Sequence, residues 1–291
     1  VDQTGVAEST NLSQMGSAQI LDQGKGLAHK AASVVWNYYP LPAEDFAMIM
    51  ASFAFWSLLY VVAAYSPLPL KPQNAHLKRI DDLDVRNRCI SFVHGFGIML
   101  FACYEFYKMP GSCGDANTEF EKRLIYTSVG YFLYDFSALC YYGLVDKTMV
   151  IHHWICIVGM SLPLTTNVSA NFIVQGMFVA EVSNTFMHVR VILKHYGLRY
   201  TKAYETMEIC FILLYIYGRI LLGPATVWNT TFCPQNHPLV KFCSLGLLAQ
   251  SVFFVFQMVS ILRKRFKEIS MRKLNRVKSR WFDPLNKEEL E

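Results

Sequence analysis

Two adjacent histidines, His152 and His153, sit inside an apolar run at residues 149–165, and Asp135 sits inside the apolar run before it. Near neutral pH an imidazole can take up a proton, release one, or attack an acyl carbon. A carboxylate can hold it in the orientation that either reaction needs, and Asp135 is the natural orienting group. Neighbouring residues on a helix point about 100° apart, so His152 and His153 can face one cavity but not one partner. The alternative is an interfacial pair bonded to lipid headgroups or backbone. His94, Asn184 and His188 are further polar groups in apolar runs, expected to line the same cavity. Ionisable groups in such runs mark a site by default. Glu181 and Arg219 are read as a buried ion pair that holds two helices in register, because an unpaired charge at mid-membrane costs about 2.5–3.5 kcal/mol on insertion scales.

These residues need apolar helices to carry them. The chain has 291 residues, 53% hydrophobic and 17% charged, against about 25% charged in an ordinary soluble domain. Seven apolar runs lie at residues 46–65, 89–107, 124–145, 149–165, 172–193, 206–228 and 239–262, each near the roughly 20 residues that a bilayer span requires. Gly223-Pro224 predicts a kink in the sixth. The fold class is therefore all-α, a polytopic membrane bundle of about seven transmembrane helices. A polar arm at 1–45, without a signal-peptide pattern, precedes the first span, and a basic tail at 266–291 follows the last. Asp146, at the turn between the third and fourth spans, is a solvated or capping carboxylate in this reading. The eight cysteines show no C-x-x-C pair and no Cys/His zinc spacing, so no metal site is expected.

Orientation follows from lysine and arginine. Of 27 such residues, 20 fall on the side that carries the tail and 6 on the other, with Arg219 inside the membrane. The positive-inside rule puts the tail in the cytosol, or in the matrix of a mitochondrion. The sequons at Asn11, Asn167 and Asn229 then share the outer side with Cys113 and Cys233, the only cysteines outside the spans. An oxidising outer compartment would allow those two to pair, subject to geometry. Counting about 1.5 Å per residue from the predicted inner ends puts His94, His152, His153 and His188 about 5–10 Å from the inner face. Asp135 and Asn184 come out at about 12–15 Å, and Glu181 and Arg219 at about 20 Å. Asp135 thus lies a turn or two deeper than the histidines, and this count does not bring them together.

The segments RNRCISFVHG with Ser91 and His94, GYFLYDF with Asp135, the pair His152-His153, AEVSNTFMHVRVILK with Glu181 and Asn184, and GRILLG with Arg219 occur in order. Together, over residues 86–265, they resemble the TLC-domain superfamily, which includes ceramide synthases and translocating-chain-associated membrane proteins. The resemblance implies a barrel-like bundle of about six helices around a lipid-accessible cavity, with the span at 46–65 as an addition before it. In ceramide synthases the region matching His152-His153 serves acyl transfer from acyl-CoA. The Arg-Lys-Asp run expected before those histidines is absent here, where the sequence reads VDKTMVIHH, and the second acidic motif is replaced by AEVSNTF. The match is to the branch outside the ceramide synthases, whose roles include membrane lipid composition and lipid sensing.

The expected function is lipid binding or handling in an intramembrane cavity, extending to acyl-chain transfer or membrane-lipid regulation. No cofactor is required, and acyl-CoA is the substrate that an acyltransferase reading would use. Membrane lipids are the expected partners, in the endoplasmic reticulum or endomembranes, and nucleic acid is not. The other reading is a non-catalytic structural subunit of a large membrane complex, such as a respiratory assembly of the mitochondrial inner membrane. The arm and the tail would then contact other subunits. The tail alternates basic clusters with Phe266, Ile269, Leu274, Val277 and Trp281, which suits anionic lipid or an acidic partner.

Overall fold

The computed structural model describes residues 40–66, 79–108, 111–144, 147–274 and 278–283. The arm before residue 40, Asp146, Val277 and the end of the tail lie outside the described residues. Ala43–Glu291 forms one compact unit, separate from Val1–Pro42. Among its described residues run seven helical rods: α1 Ala43–Tyr65, α2 Arg79–Lys108, α3 Glu119–Tyr141, α4 Lys147–Thr166, α5 Ala170–His195, α6 Lys202–Phe232 and α7 Pro238–Leu274. The protein is a polytopic helical membrane bundle.

Five rods, α1, α2, α4, α6 and α7, are long and apolar enough to cross a bilayer by length and composition. The other two, α3 and α5, carry Asp135 and Glu181 and are the most enclosed. They bury 11 and 12 of their residues, against four in α1. A helix wrapped by other helices meets little lipid, so it can carry polar groups that a lipid-facing helix cannot.

The ends of the rods are set by local chemistry. Thr118 and Glu121 form a capping box at the start of α3, the hydroxyl accepting from Glu121 N–H (3.2 Å) and the carboxylate from Thr118 N–H (2.6 Å). Both α3 and α5 end on a left-handed glycine, Gly143 and Gly197. The N–H groups of Leu144 and Leu198 reach back to the carbonyls of Leu139 and Leu193, both at 2.9 Å, which is the Schellman arrangement that only glycine adopts without strain. Beyond the predicted spans, α2 starts ten residues early. Its polar first turns are supported by the i,i+4 pairs Asp82–Arg86 (3.0 Å) and Asp84–Arg88 (3.2 Å).

In α6 the α-helix gives way to a π-turn at Ile216–Leu222 before resuming at Gly223. Pro224 has no N–H to donate and leaves a carbonyl one turn back unmatched. The chain responds by bonding Gly223 N–H to the Gly218 carbonyl, five residues back. The expected irregularity at Gly223-Pro224 is therefore a widened turn, and it contains Arg219. Gly218 lets this turn press onto α5, since a Cβ there would come within 2.6 Å of the Val179 carbonyl oxygen.

At the outer end Cys113 and Cys233 are joined as a disulfide, with Cα atoms 5.5 Å apart. Asn117 ties the α4–α5 turn beside it, donating to the Pro163 carbonyl (2.7 Å) and accepting from Ala170 N–H (2.9 Å). At the inner end the tail does not lie free. Arg265, on α7, bonds Glu208 of α6 (2.6 Å) and Glu268 (2.8 Å), Arg272 pairs with Glu205, and Arg190 of α5 takes the other oxygen of Glu208 (3.0 Å). The carbonyls of Arg280 and Trp281 accept the N–H groups of Lys202 and Ala203 (2.8 and 3.3 Å) at the start of α6. Arg265 and Arg272 are buried by these contacts, so a cation just before the tail and one within it serve the chain's own carboxylates.

Candidate functional site

Asp135 and His153 meet. The Nε2 of His153 is 2.9 Å from Asp135 Oδ2, and its Nδ1 is 2.9 Å from the Met149 carbonyl one turn earlier. The depth count kept them apart because it ran the third span to Val145, whereas α3 stops at Tyr141. Asp135 is then six residues from the end of α3, and His153 six from the start of α4. Each lies about 9 Å in at 1.5 Å per residue. Asn87 of α2 completes the group, donating to Asp135 Oδ1 (2.7 Å) while accepting from the Tyr134 hydroxyl (2.6 Å). The rings of Phe132 and Phe136 flank His153, with centroids 5.5 and 5.4 Å away. Every polar atom of this buried cluster that needs a partner has one, which fixes side chains rather than leaving them reactive.

His152 is placed differently. Its Nδ1 is 3.0 Å from Gln250 Oε1 of α7, and its Nε2 has only the Cys156 sulfur at 3.7 Å. Of the two histidines it is the one with a ring nitrogen to spare. His94 stacks on Tyr131 with centroids 3.8 Å apart, its Nε2 3.3 Å from the Ser128 hydroxyl. His188 is buried with Nδ1 unpartnered. Asn184 donates to Glu181 Oε2 at 3.3 Å.

The expected ion pair is not formed. Glu181 and Arg219 border the same space, but Arg219 turns to the Ser251 hydroxyl (3.3 Å), the Ala180 carbonyl (3.4 Å) and the Tyr215 ring (5.6 Å to its centroid). Those neutral neighbours meet the guanidinium only in part, since its Nε has no partner, and the π-turn positions it among them. Widened turns of this kind recur at functional sites.

Two chambers lie inside the bundle. The inner one, about 360 Å³, is walled by Asp135, His152, His153, Asn184 and His188 among others. The outer one, about 130 Å³, is walled mainly by apolar side chains such as Ile98, Ile155, Ile173, Leu247 and Leu248. His94, Phe132, Glu181 and Arg219 belong to both walls. All of the expected polar site residues therefore border one composite space, in two layers. Among the described residues no group of three His, Cys, Asp or Glu side chains could hold a metal ion.

The family of the TLC domain matches residues 84–264. The chain belongs to it. A TLC domain-containing protein 2 from Danio rerio is 23% identical over 197 residues, covering 64% of this chain and 78% of that protein. No solved structure matches. The matched stretch spans α2 to α7 as far as residue 264, so the TLC domain holds both chambers, while α1 braces it from outside. Trp56 and Ser52 of α1 both donate to the Thr127 carbonyl at 3.2 Å.

Sequence reasoning missed Asn87, Gln250 and Ser251. A signal existed for each. Asn87, Ser91 and His94 follow an i, i+4, i+7 spacing, one face of a helix, and Tyr131 donates to Ser91 (2.8 Å) on that face. Gln250-Ser251 is a polar pair within the apolar seventh run, and such residues face the bundle interior.

Proposed function

We propose that this TLC-domain protein draws a single lipid chain out of the bilayer into the two-chamber cavity, with its polar group in the inner chamber and part of its chain in the outer. The observation that carries the reading is the junction itself: a polar chamber and an apolar chamber share four wall residues inside one bundle. That division matches an amphiphile, and apolar pockets with a few convergent polar groups are the usual form of a small-molecule site. Any acyl transfer in this cavity, with acyl-CoA as donor, would use His152. The nitrogens of His153 are both held, and Asp135 with Asn87 sets the position of that end of α4. The Cys113–Cys233 disulfide supports an oxidising outer compartment, and so an endomembrane rather than a mitochondrial setting.

The test is lipid extraction and mass spectrometry of the protein purified in a mild detergent. Close to one equivalent of a defined lipid, retained through washing and displaced by added competitor, is the expected result. Recovery of only bulk membrane lipid, in proportions unaffected by the competitor, would overturn it.

A further inference from the structure

The wall of the inner chamber carries more hydrogen-bond donors than its own acceptors use. Arg219 makes only the two long contacts to Ser251 and Ala180, and its Nε has no partner. Arg190 gives Nη1 to Glu208 (3.0 Å) and leaves Nε without a partner. Among the described residues the buried side-chain oxygens without a partner belong to Tyr60, Glu105 and Thr231, none of which lines either chamber. A guanidinium has five donors and no acceptor, so the oxygens of an anion would complete Arg219.

Charge points the same way. Arg88 is held by Asp84 (3.2 Å) and Arg190 by Glu208 (3.0 Å), but no carboxylate is in contact with Arg219. Asp135 is taken by Asn87 and His153. Glu181 is bound by Asn184 and packed against Gly95, where even a Cβ would come within 2.7 Å of its Oε2. Arg219 is thus the cation of the wall with no anion in contact, and it stands where the chambers join.

Building on the lipid reading, we infer that the inner chamber takes an acidic headgroup, a carboxylate or a phosphate, of a single-chain lipid, with Arg219 as its counter-ion and the chain running outward past Phe132. Arginine forks suit both anions, whose oxygens accept two parallel bonds.

The experiment is equilibrium binding of radiolabelled palmitic acid, palmitoyl lysophosphatidate and hexadecanol to the purified full-length protein, at alkaline pH so that the acid is ionised. At least one of the anionic lipids should bind about ten- to hundred-fold tighter than the alcohol, the range expected for hydrogen bonds to a charged group. Whichever anion binds tighter identifies the source of the headgroup. Arg219→Gln should erase that preference while leaving hexadecanol binding unchanged, which also shows that the variant is folded, and Arg219→Lys should keep part of it. Equal binding of all three by the wild type overturns the inference and leaves the lipid cavity standing. Binding of none removes the lipid reading along with it. A preference for the anions that survives in Arg219→Gln, or a uniform loss for all three lipids there, also overturns the role of Arg219.

Discussion

Replacing Gly176 with leucine should make the protein more stable and less able to hold lipid, a combination that few substitutions give. Gly176 borders the outer chamber, and a Cβ built on it meets no atom within 4 Å. The chamber is about 130 Å³. Filling all of it, at about 24 cal/mol per Å³, sets a ceiling of about 3 kcal/mol, and a leucine that fills roughly half gains about 1.5 kcal/mol. Removing glycine from the interior of α5 adds about 0.7 kcal/mol of helix propensity. The sum is about 2 kcal/mol. The packing term applies because helices in a membrane associate through contact rather than through water release. An apolar cavity of about 150 Å³ accommodates a single benzene, so four added carbons leave little room for a chain. Melting should be followed on delipidated protein in detergent, since bound lipid stabilises by mass action, and retained lipid should be measured before delipidation. A fall in Tm would show that the space is not there to be filled. Undiminished lipid in a more stable protein would show that the chain does not lie in this chamber.

The two histidines should separate cleanly. His153→Ala leaves buried Asp135 with Asn87 as its remaining partner and should destabilise by about 2–3 kcal/mol, somewhat under the figure for stripping a buried charge entirely, whereas His152→Ala loses one contact to Gln250, worth about 1 kcal/mol; thermal melts of both variants compare them. The Cys113–Cys233 bond closes a loop with a sequence separation of 120, so Cys113→Ser, or reductant, should lower stability by at most about 4–5 kcal/mol, seen as a lower Tm in non-reducing buffer for the variant alone. Arg265→Ala leaves Glu208 with Arg190 as its remaining partner and should cost about 2–4 kcal/mol, somewhat under the figure for stripping a buried charge entirely. Limited proteolysis should then cut the tail faster.

Apolar runs located all seven helices, though among the described residues only five are apolar enough to cross a bilayer on that ground alone. They were silent on the first ten residues of α2 and the last twelve of α7, where the helix leaves the apolar layer and is supported by ion pairs instead. The Asp135–His153 contact depended on where α3 ends, and the Schellman turn at Gly143, not the last apolar residue Val145, decides that. Asn87 could have been found from its spacing with Ser91 and His94. The pairing of Glu181 with Arg219 was a sound inference from charge and depth, yet the hydroxyl of Ser251, the carbonyl of Ala180 and the ring of Tyr215 meet the guanidinium in part, without a carboxylate. A rule about charges does not count such neutral partners. Nor does any residue pattern foretell that the apolar chamber stays open beside Gly176.

The inner end of α6 is finished by the carbonyls of Arg280 and Trp281, bonded to the N–H groups of Lys202 and Ala203. During synthesis these groups leave the ribosome 78 positions apart. The first turn of α6, capped locally by Thr201 accepting from Tyr204 N–H (3.3 Å), therefore gains these two further bonds only after α7 has been made and brought back to the inner face. A reporter domain fused close behind Asp283 would reach the membrane beside that closing step, and would read out its timing.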